Sequence, residues 1–335
     1  MKKHKTLKIL GVIIAVILIF MFTINVIPPN KNVQNNPFVV EDGELPLIAA
    51  HRGGGENNPE NTMLAFKEAV TNIGIDIIES DLYLTKDGYL VYNHDAYIDE
   101  TCNINGDISL DEVKELCKSN ANKHFISDMT LSELEKYNFG YYFHDENGDR
   151  IYKDVTNIKE KGLQIATVDK LFEEFYLDYP ELLFIVEIKN NGEFGYEACR
   201  ILNETLNKYP KYKNRLVVGT FHDEIEVELK TKYPELLRGA PTNTAAKFIL
   251  TQFLKVNIFD KSDFACLQIP TSYDLGITLK LDKSTIINRA HKRNIAVQYW
   301  TINDADKMRR LIELKCDCII TDNPKLLKSV LEEYK

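Results

Sequence analysis

Leu47-Ile48-Ala49-Ala50-His51-Arg52-Gly53-Gly54-Gly55 sets a short apolar run against a polar, glycine-rich turn. Pro59-Glu60-Asn61-Thr62 then leads into a stretch in which Met63, Phe66, Ala69 and Val70 share a helical face. The pattern reads as a buried strand, a turn and a helix. His51 and Arg52 then stand at the strand's carboxyl end, where an α/β protein carries its active site, and glycine lets the backbone approach a ligand closely. A proton-transfer base, a fixed cation and bare backbone amides are what phosphate chemistry uses. The same turn also serves as a purely structural connection, so the rest of the chain decides.

Seven further apolar runs follow, at 77–81, 183–189, 216–221, 236–241, 265–270, 295–302 and 318–322. Amphipathic helical patterns fall at 61–72, 167–179, 195–209, 222–233, 243–257, 283–293 and 304–315, with a last one from 324. Eight strands alternating with helices predict a (β/α)₈ TIM barrel, because consecutive parallel strands need helical crossovers. One run is left over: 89–94 follows 82–85 across Lys86-Asp87-Gly88, a connection suited to a hairpin. If the second strand folds back there, residue 94 returns to the level of residue 80 or 81, and His94 reaches the same mouth as His51. Residues 95–166 exceed what a crossover requires and are expected as an insertion over the mouth, with helical patches near 109–119 and 130–138.

The 335-residue chain, 44% apolar, is long enough for a large single barrel. Its first segment differs: Lys2, Lys3, Lys5 and Lys8 precede an apolar run from Ile9 to Ile27 that would span about 28 Å as a helix. No small-x-small cleavage pattern follows, so residues 1–28 read as a basic flank and an uncleaved, single-pass membrane anchor, lysines in the cytoplasm and the remainder outside. Residues 29–44, with Pro28-Pro29 at their border and little hydrophobic pattern, read as a tether, and 45–335 as the barrel domain. Four of the 41 basic residues precede the anchor, which leaves 37 against 50 acidic ones and a formal charge of −13 beyond it. Nucleic acid is excluded as a partner on that balance. The six cysteines lack zinc spacing, and Cys102 with Cys117 is the pair to test for a bridge.

Strand alternation sends Glu79 and Asp81 to one side of their strand, Glu187 and Lys189 to the same side of theirs, and Gln298 with Trp300 forms a third inward pair. Each pair alone suits a structural ion pair. Three carboxylates converging on one rim would repel unless a cation were present, and oxygen ligands favour Mg²⁺ or Ca²⁺. A phosphodiester resists attack because its oxygens are anionic and its leaving alkoxide is poor. A divalent cation at Glu79, Asp81 and Glu187, aided by Arg52 and Lys189, answers the first problem, and His51 with His94 as an acid/base pair answers the second. Trp300 suits either core packing or substrate stacking. His222 is expected to begin a helix, and Thr321 with Asp322 to form a turn or cap.

His51-Arg52-Gly53 with Pro59-Glu60-Asn61-Thr62, Glu79-Ser80-Asp81, Thr85-Lys86-Asp87-Gly88, His94-Asp95, Glu187-Ile188-Lys189 and Trp300-Thr301-Ile302-Asn303 resemble, in this order, the glycerophosphodiester phosphodiesterase family. The resemblance runs from about residue 46 to 330. It implies metal-dependent hydrolysis of glycerophosphodiesters to glycerol 3-phosphate and an alcohol on a TIM barrel. By position it makes Glu79, Asp81 and Glu187 the ligands of one cation, His51 and His94 the acid/base pair, Arg52 and Lys189 the phosphate contacts, and Trp300 a wall of the glycerol pocket. The aromatic run Phe139-Gly140-Tyr141-Tyr142-Phe143 in the insertion suits either an acyl chain or core packing. Lysophospholipids are therefore an alternative, lipid-derived substrate; a cyclising phospholipase and a non-catalytic, surface-tethered binding protein are the other readings.

Overall fold

The computed structural model describes residues 2–26, 33–253, 262–274, 276 and 278–335. Eleven strands are present among them: β1 (Leu47–His51), β2 (Ile77–Leu84), β3 (Leu90–Tyr92), β4 (Leu183–Ile188), β5 (Leu216–Gly219), β6 (Leu237–Arg238), β7 (Cys266–Ile269), β8 (Ser272–Asp274), β9 (Thr278–Lys280), β10 (Ala296–Tyr299) and β11 (Cys318–Thr321). Eight of them run parallel in the order β6-β5-β4-β2-β1-β11-β10-β7. The ends of that order meet through the Gly239–Cys266 bridge and through Ala265 N–H donating to the Arg238 carbonyl at 2.8 Å. The sheet is thereby a (β/α)₈ barrel, as the alternation predicts.

Each strand's outward residues, such as Ile78, Phe184, Val186, Val218, Leu267, Val297 and Ile319, join the large core between barrel and helices. The helices start where capping residues allow. Thr62 Oγ1 accepts from Ala65 N–H, Asp304 from Lys307 N–H, and Asn323 from Leu326 N–H with Pro324 in the first turn. In the expected helix at 243–257, residues 254–257 lie outside the described residues.

The hairpin forms as read. β2 runs on to Leu84 and pairs antiparallel with β3, Leu82 opposite Tyr92, and Asn93 N–H donates to the Asp81 carbonyl at 3.1 Å. The insertion packs on this hairpin through Lys86 N–H to Met129 O and Leu131 N–H to Asp87 Oδ1. Its short helices lie at Leu110–Leu116 and Leu131–Leu134, both opened by a Ser or Thr capping box. The aromatic run 139–143 belongs to its core. Phe139, Tyr141 and Tyr142 are buried, the two tyrosines stack edge to face, and Arg150 lies over both rings. Of the two uses the sequence left open for them, the packing one is seen: their rings lie against the insertion's own residues. All six cysteines are unbridged and buried, Cys102 and Cys117 in different clusters.

The expected tether is corrected by what its described part does; residues 29–32 lie outside the described residues. Residues 33–40 are built into the barrel's N-terminal face, and 41–44 lie exposed before β1. Phe38 is fully buried in one cluster with Ala49, Leu183, Val217, Ala296 and Cys318, where small inward residues leave the axis open. Asn36 Nδ2 donates to the Ala265 and Asn294 carbonyls at 2.8 Å, and Val40 N–H donates to Asp317 Oδ1 at 3.0 Å. Polar composition hid the segment because its single plug residue carries no periodicity. Phe38→Ala is expected to destabilise the domain by about 3–5 kcal/mol, read as a lower urea midpoint with unchanged slope. The first helix, Lys2–Val26, holds a stretch, Lys5–Thr23, that is long and apolar enough to cross a membrane.

Candidate active site

The inward register is set at the bottom of the barrel and carries the chemistry to its top. Ala49, Ile77, Leu183, Ile185, Val217, Ala296, Cys318 and Ile320 line the lower interior. Alternation then turns His51, Glu79, Asp81, Glu187, Lys189, Trp300 and Asp322 inward at or just beyond the carboxyl ends. Parallel pairing sets His51 beside Glu79 and Asp81 beside Glu187. One layer lower, Gln268 Nε2 donates to Gln298 Oε1 at 3.1 Å, closing the floor with amides.

The turn after β1 is shaped by left-handed backbone. Arg52, Gly53 and Gly54 have φ of 53°, 84° and 91°, and a Cβ on Gly53 or Gly54 would lie 2.9 Å from Phe66 or Pro324. The amides of Gly53 and Gly54 are not bare: they donate to the Ala50 and His51 carbonyls at 3.1 and 2.8 Å. The turn's work is to aim Arg52. Its Nη1 donates to Glu60 at 3.1 Å, and its Nε lies 3.6 Å from Asp81 Oδ2. Asn61 holds the same turn, donating N–H to the Arg52 carbonyl at 2.9 Å while Oδ1 accepts from the buried Ser80 hydroxyl.

Lys189 Nζ bridges Asp81 Oδ1 and Glu187 Oε1, 3.1 Å from each. Burial alone would lower the lysine's pKa, but the two carboxylates raise it. Burial, with the Asp81 charge beside it, pushes Glu79 up to about 7 against the pull of His51 and Arg52. The same two causes raise Glu187. Burial and the crowding of carboxylates thus act in the same direction on Glu79 and Glu187, against the cations beside them. Asp81 Oδ2 and Arg52 Nε are buried without a hydrogen-bond partner. Among the described residues no three His, Cys, Asp or Glu side chains are drawn together as a cation cluster, and the Lys189 ammonium bridges two of the carboxylates. Glu79 and Asp81 on β2 and Glu187 on the adjacent β4 supply oxygen donors of the kind a hard divalent cation takes, and Asp81 Oδ2 is the one left buried without a hydrogen-bond partner.

A carboxyl whose pKa folding raises holds its proton more tightly when folded. Its stabilising contribution is full below about 4.5 and is lost as pH rises through about 7. Between those values the cation-free domain is expected to lose melting temperature relative to Glu79→Gln, and saturating Mg²⁺ or Ca²⁺ to cancel the difference, as thermal melts across pH can check.

His51 Nδ1 lies 2.5 Å from Asp322 Oδ1, and its Nε2 3.8 Å from Glu79 Oε2. Burial works to lower its pKa, but the Asp322 hydrogen bond and the Glu79 charge outweigh it, and the pKa is raised. Asp322 is held in turn. Asn303 Nδ2 donates to its Oδ2 at 2.6 Å, and Asn303 Oδ1 accepts from Asp322 N–H and from the Thr321 hydroxyl. Burial would raise the Asp322 pKa, yet the His51 bond leaves it lowered. Asp322 thus serves His51, not a helix cap; Asn323 caps the last helix. Carrying the inward alternation of Cys318 and Ile320 two residues further would have found it.

His94 is half-exposed, with Nδ1 3.1 Å from Asp95 Oδ1, and its charge bears on Glu187. Trp300 is 41% exposed just past β10, so it is a rim residue and not core. Phe221, 63% exposed after β5, lies with its ring centroid 6.0 Å from Lys189 Nζ. His222 begins the helix Asp223–Lys232, as expected, and its Nε2 lies 3.0 Å from the Lys189 carbonyl. His124 and His291 pair with Asp99 and Asp317 away from the mouth.

Residues 51–326 match the profile of the Glycerophosphoryl diester phosphodiesterase family. A glycerophosphodiester phosphodiesterase of Caldanaerobacter subterraneus subsp. tengcongensis is 26% identical over 287 residues, 86% of this chain and 98% of that protein. The mouse lysophospholipase D GDPD1 is 25% identical over 306 residues, 85% and 86% of the two chains. Among solved structures, an Oleispira antarctica phosphodiesterase in complex with the product sn-glycerol-3-phosphate superposes with a TM-score of 0.60 at 22% identity, covering 86% of this chain and 97% of that one. That likeness bears on the fold, and the match over 51–326 on membership: the chain belongs to the glycerophosphoryl diester phosphodiesterase family of phosphoric diester hydrolases.

Proposed function

We propose that this chain hydrolyses glycerophosphodiesters to glycerol 3-phosphate and an alcohol at the C-terminal mouth of the barrel. The observation that carries the reading is the meeting of Glu79, Asp81 and Glu187 with Lys189 and Arg52 across adjacent strands. Glu79, Asp81 and Glu187 would hold one divalent cation, Mg²⁺ or Ca²⁺. When bound, it supplies positive charge against the nonbridging phosphate oxygens and the charge that grows on them in the transition state. Arg52 and Lys189 bind the phosphate from the same side. Trp300 and Phe221 offer exposed rings against which the glycerol carbons pack.

His51 and His94 move the protons. One takes the proton of the attacking hydroxyl as the new P–O bond forms. The other gives a proton to the alkoxide as the old P–O bond breaks. With Nδ1–H directed at Asp322, the proton exchanged by His51 is the one at Nε2, which faces Glu79. Asp322 acts through His51 and is a positioning residue. Asp322→Asn is expected to lower kcat by about 10- to 100-fold with KM nearly unchanged, and Asp322→Glu to recover part of it.

The first helix would lie in the cell membrane as a single span, with Lys2, Lys3, Lys5 and Lys8 in the cytoplasm and the barrel outside. Coupled detection of glycerol 3-phosphate from glycerophosphocholine tests the reaction. Stoichiometric release is expected, and its absence at every cation concentration would refute it.

A further inference from the structure

The anchor and the catalytic mouth leave the barrel from opposite faces. Val33, the first described residue after the apolar helix, is pinned beneath the barrel: Asn294 Nδ2 donates to its carbonyl at 2.8 Å and to that of Gln34 at 3.0 Å. Asn294 precedes β10, Ala265 precedes β7 and Asp317 precedes β11, and all three hold residues 33–40. Phe38 then enters the barrel axis from below. His51, Asp81, Glu187 and Trp300 stand at the other ends of their strands.

The chain between Val26 and Val33 has seven peptide steps. However it runs, it reaches at most about 25 Å. The outer ring of helices is as tall as that: Gly192–Lys208, of 17 residues, is about 26 Å long. A chain rooted beneath the barrel must first pass outward under this ring and then climb it to bring the mouth down to the bilayer, and its length does not suffice. Nor does the mouth present a basic face of the kind that docks on anionic bilayers: its cations, Arg52 and Lys189, and its histidines, His51 and His94, are each paired with carboxylates, among them Glu60, Asp81, Asp95, Glu187 and Asp322. Of the insertion's aromatic run, Phe139, Tyr141 and Tyr142 are buried in the insertion and do not face a bilayer.

We propose that the anchored enzyme holds its mouth away from the membrane and takes water-soluble, deacylated glycerophosphodiesters from the surrounding solution, not lysophospholipids from the bilayer that carries it. The inference rests on the diester hydrolase reading and on the helix Lys2–Val26 lying in that bilayer.

Trp300 is the sole tryptophan of the chain and sits at the mouth, so its emission reports where the mouth is. The full chain is reconstituted in phosphatidylcholine vesicles with ordinary or brominated acyl chains. Emission is expected to be the same in both, and quenching by the brominated lipid would overturn the orientation. In the same vesicles, kcat/KM for glycerophosphocholine in solution is expected to exceed that for lysophosphatidylcholine in the bilayer by about tenfold or more. Equal or faster turnover of the lysolipid would overturn the substrate class. Failure of the chain to float with the vesicles removes the premise and the proposal with it. Loss of turnover on both substrates with unquenched Trp300 would instead refute the hydrolase reading and the substrate class, leaving the orientation standing.

Discussion

Asp81→Ala and Glu79→Ala are each expected to lower glycerophosphocholine turnover by about 10³-fold or more while the far-ultraviolet circular dichroism stays that of the wild type. Asp81 is where the site's charges meet, with Lys189 at 3.1 Å, Arg52 at 3.6 Å and Glu187 beside it in register. Without its carboxylate, the proposed cation loses a ligand and both phosphate-binding cations lose their common partner. Asp81→Asn, of nearly the same volume, separates lost charge from lost packing and should fail equally. Glu79 lies deeper and carries a carboxyl pushed up to about 7 by burial and by Asp81. Its removal relieves repulsion in the empty pocket, so Glu79→Ala is expected to fold at least as stably as the wild type while losing activity. Unchanged turnover in either alanine variant would contradict the assignment of the carboxylates.

His51→Gln and His94→Gln are expected to cost about 10²- to 10⁴-fold in kcat each, the range for removing a positioned acid or base. The two should differ in what restores activity. A substrate whose leaving group needs no proton, such as a p-nitrophenyl diester, should be turned over at near wild-type rate by the variant lacking the acid and remain slow in the variant lacking the base. Rate profiles on the two substrates therefore divide the roles between the histidines. Equal loss on both substrates in both variants would contradict the division of labour.

The barrel was legible in the sequence because alternating apolar strands and amphipathic helices repeat their signal eight times, and a parallel strand is buried on both faces. Glu79, Asp81, Glu187 and Lys189 were legible for a simpler reason: spacing by two on a strand sends side chains to one face. The same rule reaches Asp322, but Thr321-Asp322-Asn323-Pro324 also reads as a helix start, and the capping pattern masked the inward carboxylate. Two other features left no local trace. Phe38 acts by filling an axis that small residues on several distant strands leave open, which only the closed barrel defines. Burial of Tyr141 and Tyr142 depends on Asp107 and Arg150 at separations no periodicity records. The glycine-rich turn misled in a different way. Its left-handed residues proclaim a close approach, but what they approach is Phe66 and Pro324, and the turn delivers Arg52 rather than free amides.

The most direct test is a divalent-cation titration of glycerophosphocholine hydrolysis by the domain beginning at Val33, which retains the Phe38 plug, after exhaustive chelation. The account predicts no turnover in chelator, recovery with Mg²⁺ or Ca²⁺ saturating at one ion per chain, and no recovery in Asp81→Ala. Full turnover by the chelated domain would contradict it.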